Sequence, residues 1–388
     1  MLNTSFSSAE YHGRVARAQS LMHTHGLDAM LLSNEKHLEY FSGYRSDLWA
    51  SPTRPFYLIV PLEGDPFAVL PQGADDAWRG SSWVKRFSTW PSPRPEDEGV
   101  SEVAAELRAL PSRFGRIGIE MGPESRIGMT LGDVFRLIDA LRPLEIADCA
   151  ILCREVRIVK SDAEIAYIRR ACTAACDAFD RMDEFATAGS SEAEVANRFA
   201  AAMLAGGASK VPFVAMGSGP DGYETIILRA GPRILEPGDI FAIDTGADVH
   251  GYFCDFDRNY AICEASEEAR RIYRSLQRAT DAGIAAARPG NTAADLFHAQ
   301  ARSIEADGIV AATQGRFGHG LGITLTEWPS NAPHDNTPLL PGMVMTIEPG
   351  IAYGEGKVMV AEENVVITEN GCELLSRRAS PELPAISW

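Results

Sequence analysis

The sequence contains no hydrophobic run close to the roughly 20 residues that a membrane-spanning helix requires. Its first residues also lack the basic start and apolar stretch of a secretion signal, so a cytoplasmic protein is expected. Basic residues are scarce beside acidic ones, because 36 lysines and arginines stand against 53 aspartates and glutamates, a net charge of -17. That balance argues against nucleic acid or an anionic membrane as the main partner.

The sequence also has few cysteines, and it lacks several familiar catalytic and nucleotide-binding motifs. The seven cysteines are odd in number and scattered, which argues against a disulfide framework and fits a reducing compartment. No Walker-type GKS or GKT occurs, and no serine stands in a nucleophile-elbow frame. GSGPDG at residues 217–222 matches a dinucleotide fingerprint by letter, but the residues after it predict a turn and a strand instead of the required helix.

A chain of 388 residues predicts two domains. The first part alternates helix and strand, which indicates an α/β unit of about 150 residues in which NEKHLEYFSGY is predicted to be a loop. Near Leu152 the pattern changes, and a long amphipathic helix is expected to begin at a capping box formed by Ser161 and Glu164. The boundary is therefore placed near residue 157.

The stretch IDTGADVHGYFCDFDRNY, residues 243–260, puts acids into a strand-like segment where aspartate is disfavoured. It predicts two antiparallel strands around a Gly246–Gly251 connection, with Asp244 opposite Asp255 and Asp257 on the same face. An exposed polar hairpin is the alternative. Because the neighbouring Cys254 and Phe256 are apolar too, buried acids neutralised by a cation are favoured.

Three further segments carry residues that could join these acids. His319 lies in FGHGLG, Glu348 ends the strand of TIEPG, and Glu362 and Glu363 interrupt VMVAEENVVIT, which is predicted to be one apolar strand. Two aspartates, one histidine and two glutamates suit a hard or borderline divalent metal, or a pair that activates water and polarises a carbonyl. The other histidines are assigned to helix surfaces or to loops, and His37 is placed in a loop.

The ordered set IDTGADVHGYFCDFDR, GHGLG, TIEPG and AEENVVITENG resembles the pita-bread metallohydrolase family, which includes aminopeptidase P, prolidase, methionine aminopeptidase and creatinase. NEKHLEYFSGY and VRIVKSDAEIAYIRRA extend the resemblance over nearly the whole chain, in the creatinase-type two-domain arrangement. The implied fold is an α/β N-terminal domain, residues 1–157, plus an α+β pita-bread catalytic domain, residues 158–388.

The resemblance also implies a site. Two divalent metal ions (Mn, Co, Zn or Fe) would be bound by five ligands, with Asp255 and Glu362 bridging them, and a metal-activated water would be the nucleophile. The implied metal ligands are Asp244, Asp255, His319, Glu348 and Glu362. The candidate catalytic residues are Glu348, the favoured proton shuttle, Glu327 and Asp257. A homodimer is expected.

The sequence departs from the peptidase pattern at several positions. Thr326 stands where the second histidine is usual, Asp257 stands where threonine is usual, and Val360 replaces an arginine. No histidine occurs in residues 222–229. The candidate substrate-binding residues are Arg54, Trp49, Tyr223, Arg229 and Trp328. For Trp49 and Arg54 the alternative is local packing of a loop. For Tyr223 and Trp328 the alternative is a position in the core. For Asp257 the alternative is pairing with Arg258.

The expected function is hydrolysis of an amide-type C–N bond in a small substrate, with an Xaa-Pro peptide as the default and a non-peptide amide as a variant. Two alternatives stay open. One is a metal-dependent lyase acting on a small sulfonium or ammonium osmolyte, and the other is a catalytically silent binding protein of the same fold.

Overall fold

The computed structural model describes residues 5–309, 311 and 315–388. Within it the chain divides into two units, Met1–Arg157 and Ile158–Trp388.

The first unit is built on one mixed sheet of six strands in the order β4-β3-β2-β1-β5-β6. Its central strands are short and wholly buried, and helices supply the remaining core. A short 3-10 helix covers Asp47–Ala50. The helices are α1 Ser8–His25, α2 Glu35–Ser42, α3 Asp75–Ser81, α4 Val100–Arg108, α5 Leu131–Leu141 and α6 Ala150–Arg157. The strands are β1 Ala29–Leu32, β2 Tyr57–Pro61, β3 Phe67–Pro71, β4 Phe87–Trp90, β5 Arg116–Ile119 and β6 Glu145–Asp148.

The prediction of a loop over NEKHLEYFSGY was wrong, because most of this segment forms α2. Asn34 caps its start by accepting a hydrogen bond from the amide of Lys36, and Gly43 ends it in the left-handed region at φ 73°. His37 is consequently a buried helical residue, hydrogen-bonded to the carboxylate of Glu120, and not a loop residue.

The second unit contains two five-stranded sheets and a separate hairpin. One sheet has the path β18-β10-β8-β7 with β9 paired to β8, the other has the order β12-β11-β13-β16-β17, and β14 pairs with β15. The helices are α7 Asp162–Phe179, α8 Met182–Phe185, α9 Glu192–Ala205, α10 Glu267–Ala286 and α11 Ala293–Ala306. The strands are β7 Lys210–Pro220, β8 Asp239–Val249, β9 Tyr252–Phe253, β10 Phe256–Ile262, β11 His319–Gly320, β12 Glu327–Ser330, β13 Val344–Ile347, β14 Gly350–Tyr353, β15 Lys357–Val360, β16 Glu363–Ile367, β17 Cys372–Leu374 and β18 Ala385–Ile386.

Helix α7 begins at the predicted capping box. The Ser161 side chain accepts from the amide of Glu164, and the Glu164 carboxylate accepts from the amide of Ser161 at 2.8 Å. The helix packs on β8 and α9, while α10 packs on α11. These layers bury the apolar faces of the strands that carry the acidic residues.

The hairpin of β8 and β10 differs from its prediction. Strand β8 continues through Gly246 to Val249, and the turn consists of His250 and Gly251, both at positive φ (52° and 90°). Asp244 therefore lies opposite Asp257 and not opposite Asp255. Because the register differs by an even number of residues, all three acids keep the same face.

The segment VMVAEENVVIT is not one strand, as predicted, but two. Strand β15 ends at Val360 and β16 begins at Glu363, so Glu362 lies in the link between the hairpin and the second sheet. The backbone amide of Ala361 in this link donates to the carbonyl of Pro349. Through this link the chain passes from the β14–β15 hairpin to the sheet that contains β16. Glu362 therefore lies outside the paired strands.

Candidate metal centre

The five predicted metal ligands all contribute to the wall of one cavity of about 730 Å³. Two of them lie in strands and three lie next to the ends of strands, and each belongs to the second unit. Asp244 lies within β8, Asp255 immediately before β10, His319 in β11, Glu348 immediately after β13 and Glu362 in the link before β16. Residues far apart in the sequence thus meet at one wall.

Three of the five lie close enough to share a cation. One ligand atom each from Asp255, His319 and Glu362 lies within 4.8 Å of the others, and all three residues are buried. His319 Nε2 lies 3.3 Å from Asp255 Oδ2. The other ring nitrogen, Nδ1, donates to the carbonyl of Gly320 at 2.8 Å, which leaves the Nε2 lone pair directed at the carboxylates.

Glycine at position 318 is required for this placement of His319. Gly318 has a φ of 121°, and a Cβ there would lie 2.2 Å from the carbonyl oxygen of Thr346. The close approach brings the His319 amide to the Thr346 hydroxyl at 3.1 Å. The glycine-rich motif is therefore a packing requirement that fixes the imidazole.

Several carboxylate oxygens at the site lack a hydrogen-bond partner within the described part of the chain. They are Oδ1 of Asp244, Oδ1 of Asp257 and Oε1 of Glu362, each without solvent exposure. A buried, unpaired carboxylate oxygen costs several kcal/mol unless a cation or a proton satisfies it. Acidic oxygens together with one imidazole are also the donor set that divalent metals prefer, so the residues present fit a metal centre.

The pKa shifts of the five predicted ligands also favour a cation at this wall. Burial raises the pKa of Asp255 to about 8, against the lowering effect of nearby Arg316. Burial and the neighbouring acids raise the pKa values of Asp244 and Glu362 well above their ordinary range, and burial raises that of Glu348. Burial lowers the pKa of His319. Without a cation the raised pKa values favour protonated acids, and a bound cation would displace those protons.

Residues behind the ligands hold them in position. Asn364 brackets Asp255, since its side-chain oxygen accepts from the Asp255 amide at 3.0 Å and its amide donates to the Asp255 carbonyl. Arg258 pairs with Glu363 at 2.9 Å and donates to the Glu362 carbonyl at 3.0 Å. Asn364 was not among the residues predicted from the sequence, although its place two residues after Glu362 in a buried strand was a signal that it needed a polar partner.

Asp257 is buried and directly opposite Asp244. Burial, followed by the charge of Asp244, raises its pKa well above the ordinary range. Pairing with Arg258, the alternative role for this acid, involves only the Asp257 backbone carbonyl, because the Arg258 guanidinium pairs with Glu363. The Asp257 carboxylate therefore interacts with Asp244, one of the predicted metal ligands, and not with a surface partner.

Glu327 is held in a buried ion pair. Its Oε2 accepts from Lys160 Nζ at 3.0 Å, and the two side chains are 6% and 2% exposed. Its Oε1 accepts from the amide of Thr324 at 3.1 Å. Because both of its oxygens are held, Glu327 is suited to positioning the segment that follows His319. Its partner Lys160 was not identified from the sequence.

This pair carries a stability prediction. Replacing Lys160 by methionine is expected to lower the free energy of unfolding by roughly 3 kcal/mol, because Glu327 would remain buried without its cation. Urea denaturation of the metal-free protein measures the loss. The double variant Lys160→Met/Glu327→Gln is the control, and it should be more stable than the sum of the single losses predicts. A loss below about 1 kcal/mol in Lys160→Met would contradict a buried-pair role.

The predicted substrate-binding residues are placed differently from one another. Arg229 lines the cavity. Tyr223 is a core residue, 2% exposed, whose hydroxyl donates to Asn259 and accepts from the amide of Val360. Trp328 is partly buried in β12, and neither it nor Tyr223 is among the cavity-lining residues.

Trp49 and Arg54 belong to the first unit. The Trp49 ring packs edge-on against Tyr44 and Phe56, with centroids 5.7 and 6.4 Å away. Arg54 is exposed, and its backbone amide donates to Glu98. Both environments agree with the alternative of local loop packing, and substrate contact by these two residues stays a prediction.

None of the helices in the described ranges combines the length and apolarity that crossing a membrane demands.

Residues 166–369 match the model of metallopeptidase family M24, and residues 14–159 match the creatinase/prolidase N-terminal domain. The second match ends close to the division between the two units.

Similar proteins span the whole chain. The probable dipeptidase PepE of Mycobacterium bovis is 32% identical over 371 residues, which is 94% of this chain and 94% of that protein. The crystal structure of dipeptidase PepE from Mycobacterium ulcerans superposes with a TM-score of 0.85 at 31% identity, covering 99% and 100% of the two chains. The prolidase of Pyrococcus horikoshii gives a TM-score of 0.81 at 26% identity, covering 94% and 98%.

These matches confirm the predicted fold class, an α/β N-terminal domain followed by an α+β pita-bread catalytic domain. They also confirm the predicted enzyme class, a metal-dependent hydrolase related to Xaa-Pro dipeptidases. The full-length likeness, together with a cavity wall of buried acids around one histidine, establishes that the chain belongs to metallopeptidase family M24.

Proposed function

We propose that this enzyme is a dinuclear-metal dipeptidase that hydrolyses the C–N bond of small substrates, with Xaa-Pro dipeptides as the first class to test. The observation that carries the proposal is the convergence of Asp244, Asp255, His319, Glu348 and Glu362 on one cavity. The similarity to proteins named dipeptidase and prolidase supports the substrate class.

The five residues would hold two divalent ions. When bound, the ions would supply an activated water and polarise the scissile carbonyl. The protein's own contribution is the fixed geometry of the ligands, which Asn364 and the His319–Gly320 hydrogen bond provide.

Glu348 is the proposed proton carrier. It follows β13 at the cavity wall, where burial raises the pKa of its carboxyl. In the loaded site its ionised carboxylate would accept a proton from the attacking water and deliver it to the leaving nitrogen as the C–N bond breaks. The protons and the bond thus balance without any further acid.

The substitutions at Thr326 and Asp257 motivate the variant proposal of a small non-peptide amide. The cavity wall combines apolar side chains such as Ala196 and Phe213 with the two guanidinium groups of Arg229 and Arg316. Such a wall suits a short substrate with one apolar part and one charged group.

The test is a turnover screen of Mn- and Co-loaded protein on Xaa-Pro dipeptides, other dipeptides, small cyclic and acyclic amides, and sulfonium osmolytes. We expect hydrolysis of at least one dipeptide or amide, loss of turnover after exhaustive chelation, and recovery when metal returns. Mass spectrometry of the products separates hydrolysis, which adds water, from lysis, which yields an alkene. Turnover that survives chelation would refute the proposal, and alkene formation would favour the lyase.

Three other expectations stay predictions: a metal drawn from Mn, Co, Zn and Fe, a cytoplasmic location and a homodimer. Metal analysis of protein purified without added metal measures the first. Light scattering at several protein concentrations measures the third, and a monomer at all of them would contradict it.

A further inference from the structure

Asp257 is a buried acid whose carboxylate makes no hydrogen bond or ion pair with the residues that the structure describes. The residue is 2% exposed, and its Oδ1 has no access to solvent. A buried carboxylate without a partner is costly unless a cation or a proton satisfies it. In the peptidase pattern a threonine is usual at this position, so this chain has replaced a neutral hydroxyl by an acid that needs a partner.

The hydrogen-bond donors near Asp257 are directed at other acceptors. Tyr223 and Tyr273 lie close enough that the charge of Asp257 adds to the effect of burial in raising their pKa values. Their hydroxyls nevertheless donate elsewhere, to an asparagine side chain at 2.9 Å and to a backbone carbonyl at 2.8 Å. The guanidinium of Arg258 pairs with Glu363 and reaches only the backbone carbonyl of Asp257. None of these three described neighbours therefore gives a proton or a positive charge to the carboxylate.

Asp257 lies directly opposite Asp244 in the pairing of β10 with β8. The Cβ atoms of directly opposed residues are about 4.5–5.5 Å apart, and like charges at such positions repel each other. The Oδ1 atoms of both aspartates lack a hydrogen-bond partner within the described ranges, so these atoms do not share a proton in a hydrogen bond. Two opposed carboxylates in this state are suited to hold one cation between them.

The cavity separates Asp257 from the substrate. Asp244 is one of the residues that line the cavity, whereas Asp257 does not line it. A substrate in the cavity would therefore meet Asp244 and the other proposed ligands before it could meet Asp257. The carboxylate of Asp257 is thus placed to act on the metal centre instead of on the substrate.

We infer that Asp257 is a sixth protein ligand of the metal centre, paired with Asp244, and that it raises the affinity of the centre for manganese more than its affinity for zinc. This inference rests on the proposed function, in which the site holds two divalent ions. With Asp257 the ligand set contains five carboxylates and one imidazole. Carboxylate oxygens suit hard cations such as Mn²⁺, whereas an imidazole nitrogen also suits Zn²⁺, so an added acid strengthens the binding of manganese more.

The first test measures metal binding without turnover. Titration of metal-free protein with manganese and with zinc, in competition with a chelator of known affinity, compares the wild type with Asp257→Thr and Asp257→Asn. In Asp257→Thr we expect manganese affinity to fall by roughly 100-fold and zinc affinity by about 10-fold. Asp257→Asn should lie between Asp257→Thr and the wild type, because its amide oxygen can still act as a ligand.

Two outcomes of this titration would overturn the inference. Unaltered manganese affinity in both variants would mean that a proton or a water molecule satisfies Asp257. Equal losses of manganese and zinc affinity would mean that Asp257 only positions Asp244 and adds no ligand of its own.

Asp239→Asn is the matched control for the loss of a buried acid from the same strand pair. Asp239 begins β8, is 1% exposed and accepts from Arg233 at 2.8 Å. Its substitution should lower the unfolding temperature of the metal-free protein and leave manganese affinity at the wild-type value. Asp257→Thr should keep or raise that temperature, because it removes an acid that lacks a protein partner. A clear drop in both Asp257 variants would show a structural role instead of a ligand role and would overturn the inference.

Diffraction from manganese-loaded crystals locates the ions directly. A ligand role requires an Asp257 oxygen at about 2.0–2.6 Å from a manganese ion. If both ions are bound and the Asp257 carboxylate contacts neither of them, the inference is wrong.

Failures of the two proposals are distinguishable. If the wild type binds manganese through Asp257 but hydrolyses no dipeptide or amide, the proposed reaction fails and the inference stands. If hydrolysis occurs and is lost on chelation, while Asp257→Thr keeps the wild-type ratio of manganese to zinc affinity, the inference fails and the proposed function stands.

Discussion

Replacing Asp255 by asparagine is expected to lower kcat/KM by at least about 1,000-fold, roughly 4 kcal/mol of transition-state stabilisation. Asp255 lies closest to His319 among the proposed ligands and belongs to the group that can share one cation. Asparagine keeps the shape of the side chain but removes the negative charge that the proposed metal ligand would supply. Metal binding should therefore weaken together with turnover.

Steady-state kinetics and metal analysis on the same preparations measure this effect. Asp183→Asn is the matched control, since Asp183 is exposed on α8 and far in sequence from all five ligands. Circular dichroism and the unfolding temperature establish that Asp255→Asn remains folded. Near-wild-type turnover and metal content in Asp255→Asn would show that Asp255 is not a metal ligand.

The metal-free protein is expected to lose stability as the pH rises from about 6.5 to 8, and added metal should reverse the loss. Burial raises the pKa of Asp255 from its ordinary 3.8 to about 8, so the folded state keeps a proton that the unfolded state has already released. Stability from a raised acid pKa is present at low pH and falls as the pH approaches the folded value. His319, whose pKa burial lowers, is neutral in the folded state, and in the unfolded state it is half protonated at its ordinary pKa of 6.5. Release of that remaining half proton opposes the trend by a smaller amount.

For each retained proton the free energy of unfolding falls by about 1.4 kcal/mol per pH unit, or roughly 2 kcal/mol over this window. Urea denaturation of chelated protein at several pH values measures the slope, and Asp255→Asn should reduce it because asparagine does not titrate. Saturating manganese should stabilise the protein more at pH 8 than at 6.5, since fewer protons must be displaced. A metal-free stability that is flat or rising across the window would contradict protonated acids at the centre.

The sequence was sufficient to predict those parts of the site in which a polar side chain interrupts an apolar strand. Asp244 and Glu348 each follow a buried isoleucine, so their own polar groups needed a partner in the interior. His319 stands between two glycines, and its prediction depended on the family resemblance. The capping box of α7 was predictable for a different reason, because its two hydrogen bonds are local.

Features that depend on distant contacts were not predictable. The hairpin register follows from a turn at His250 and Gly251, while the alternative glycine at 246 offered an equally plausible turn until tertiary packing extended β8. Helix α2 is short and depends on capping by Asn34 and on burial against the sheet. Arg316 matched no motif, and only its position in the cavity wall associates it with the predicted metal ligands.

Because strands β8 and β10 are joined through a two-residue turn at His250–Gly251, the number of residues between Asp244 and Asp255 is fixed. Adding or removing one residue between Asp244 and Asp255 would rotate every later side chain of the strand to the opposite face. Cys254 or Phe256 would then point at the metal centre, and the carboxylate would point into the core. This hairpin therefore tolerates changes of residue type more readily than changes of length, so single-residue insertions and deletions here should be absent among active descendants of this chain.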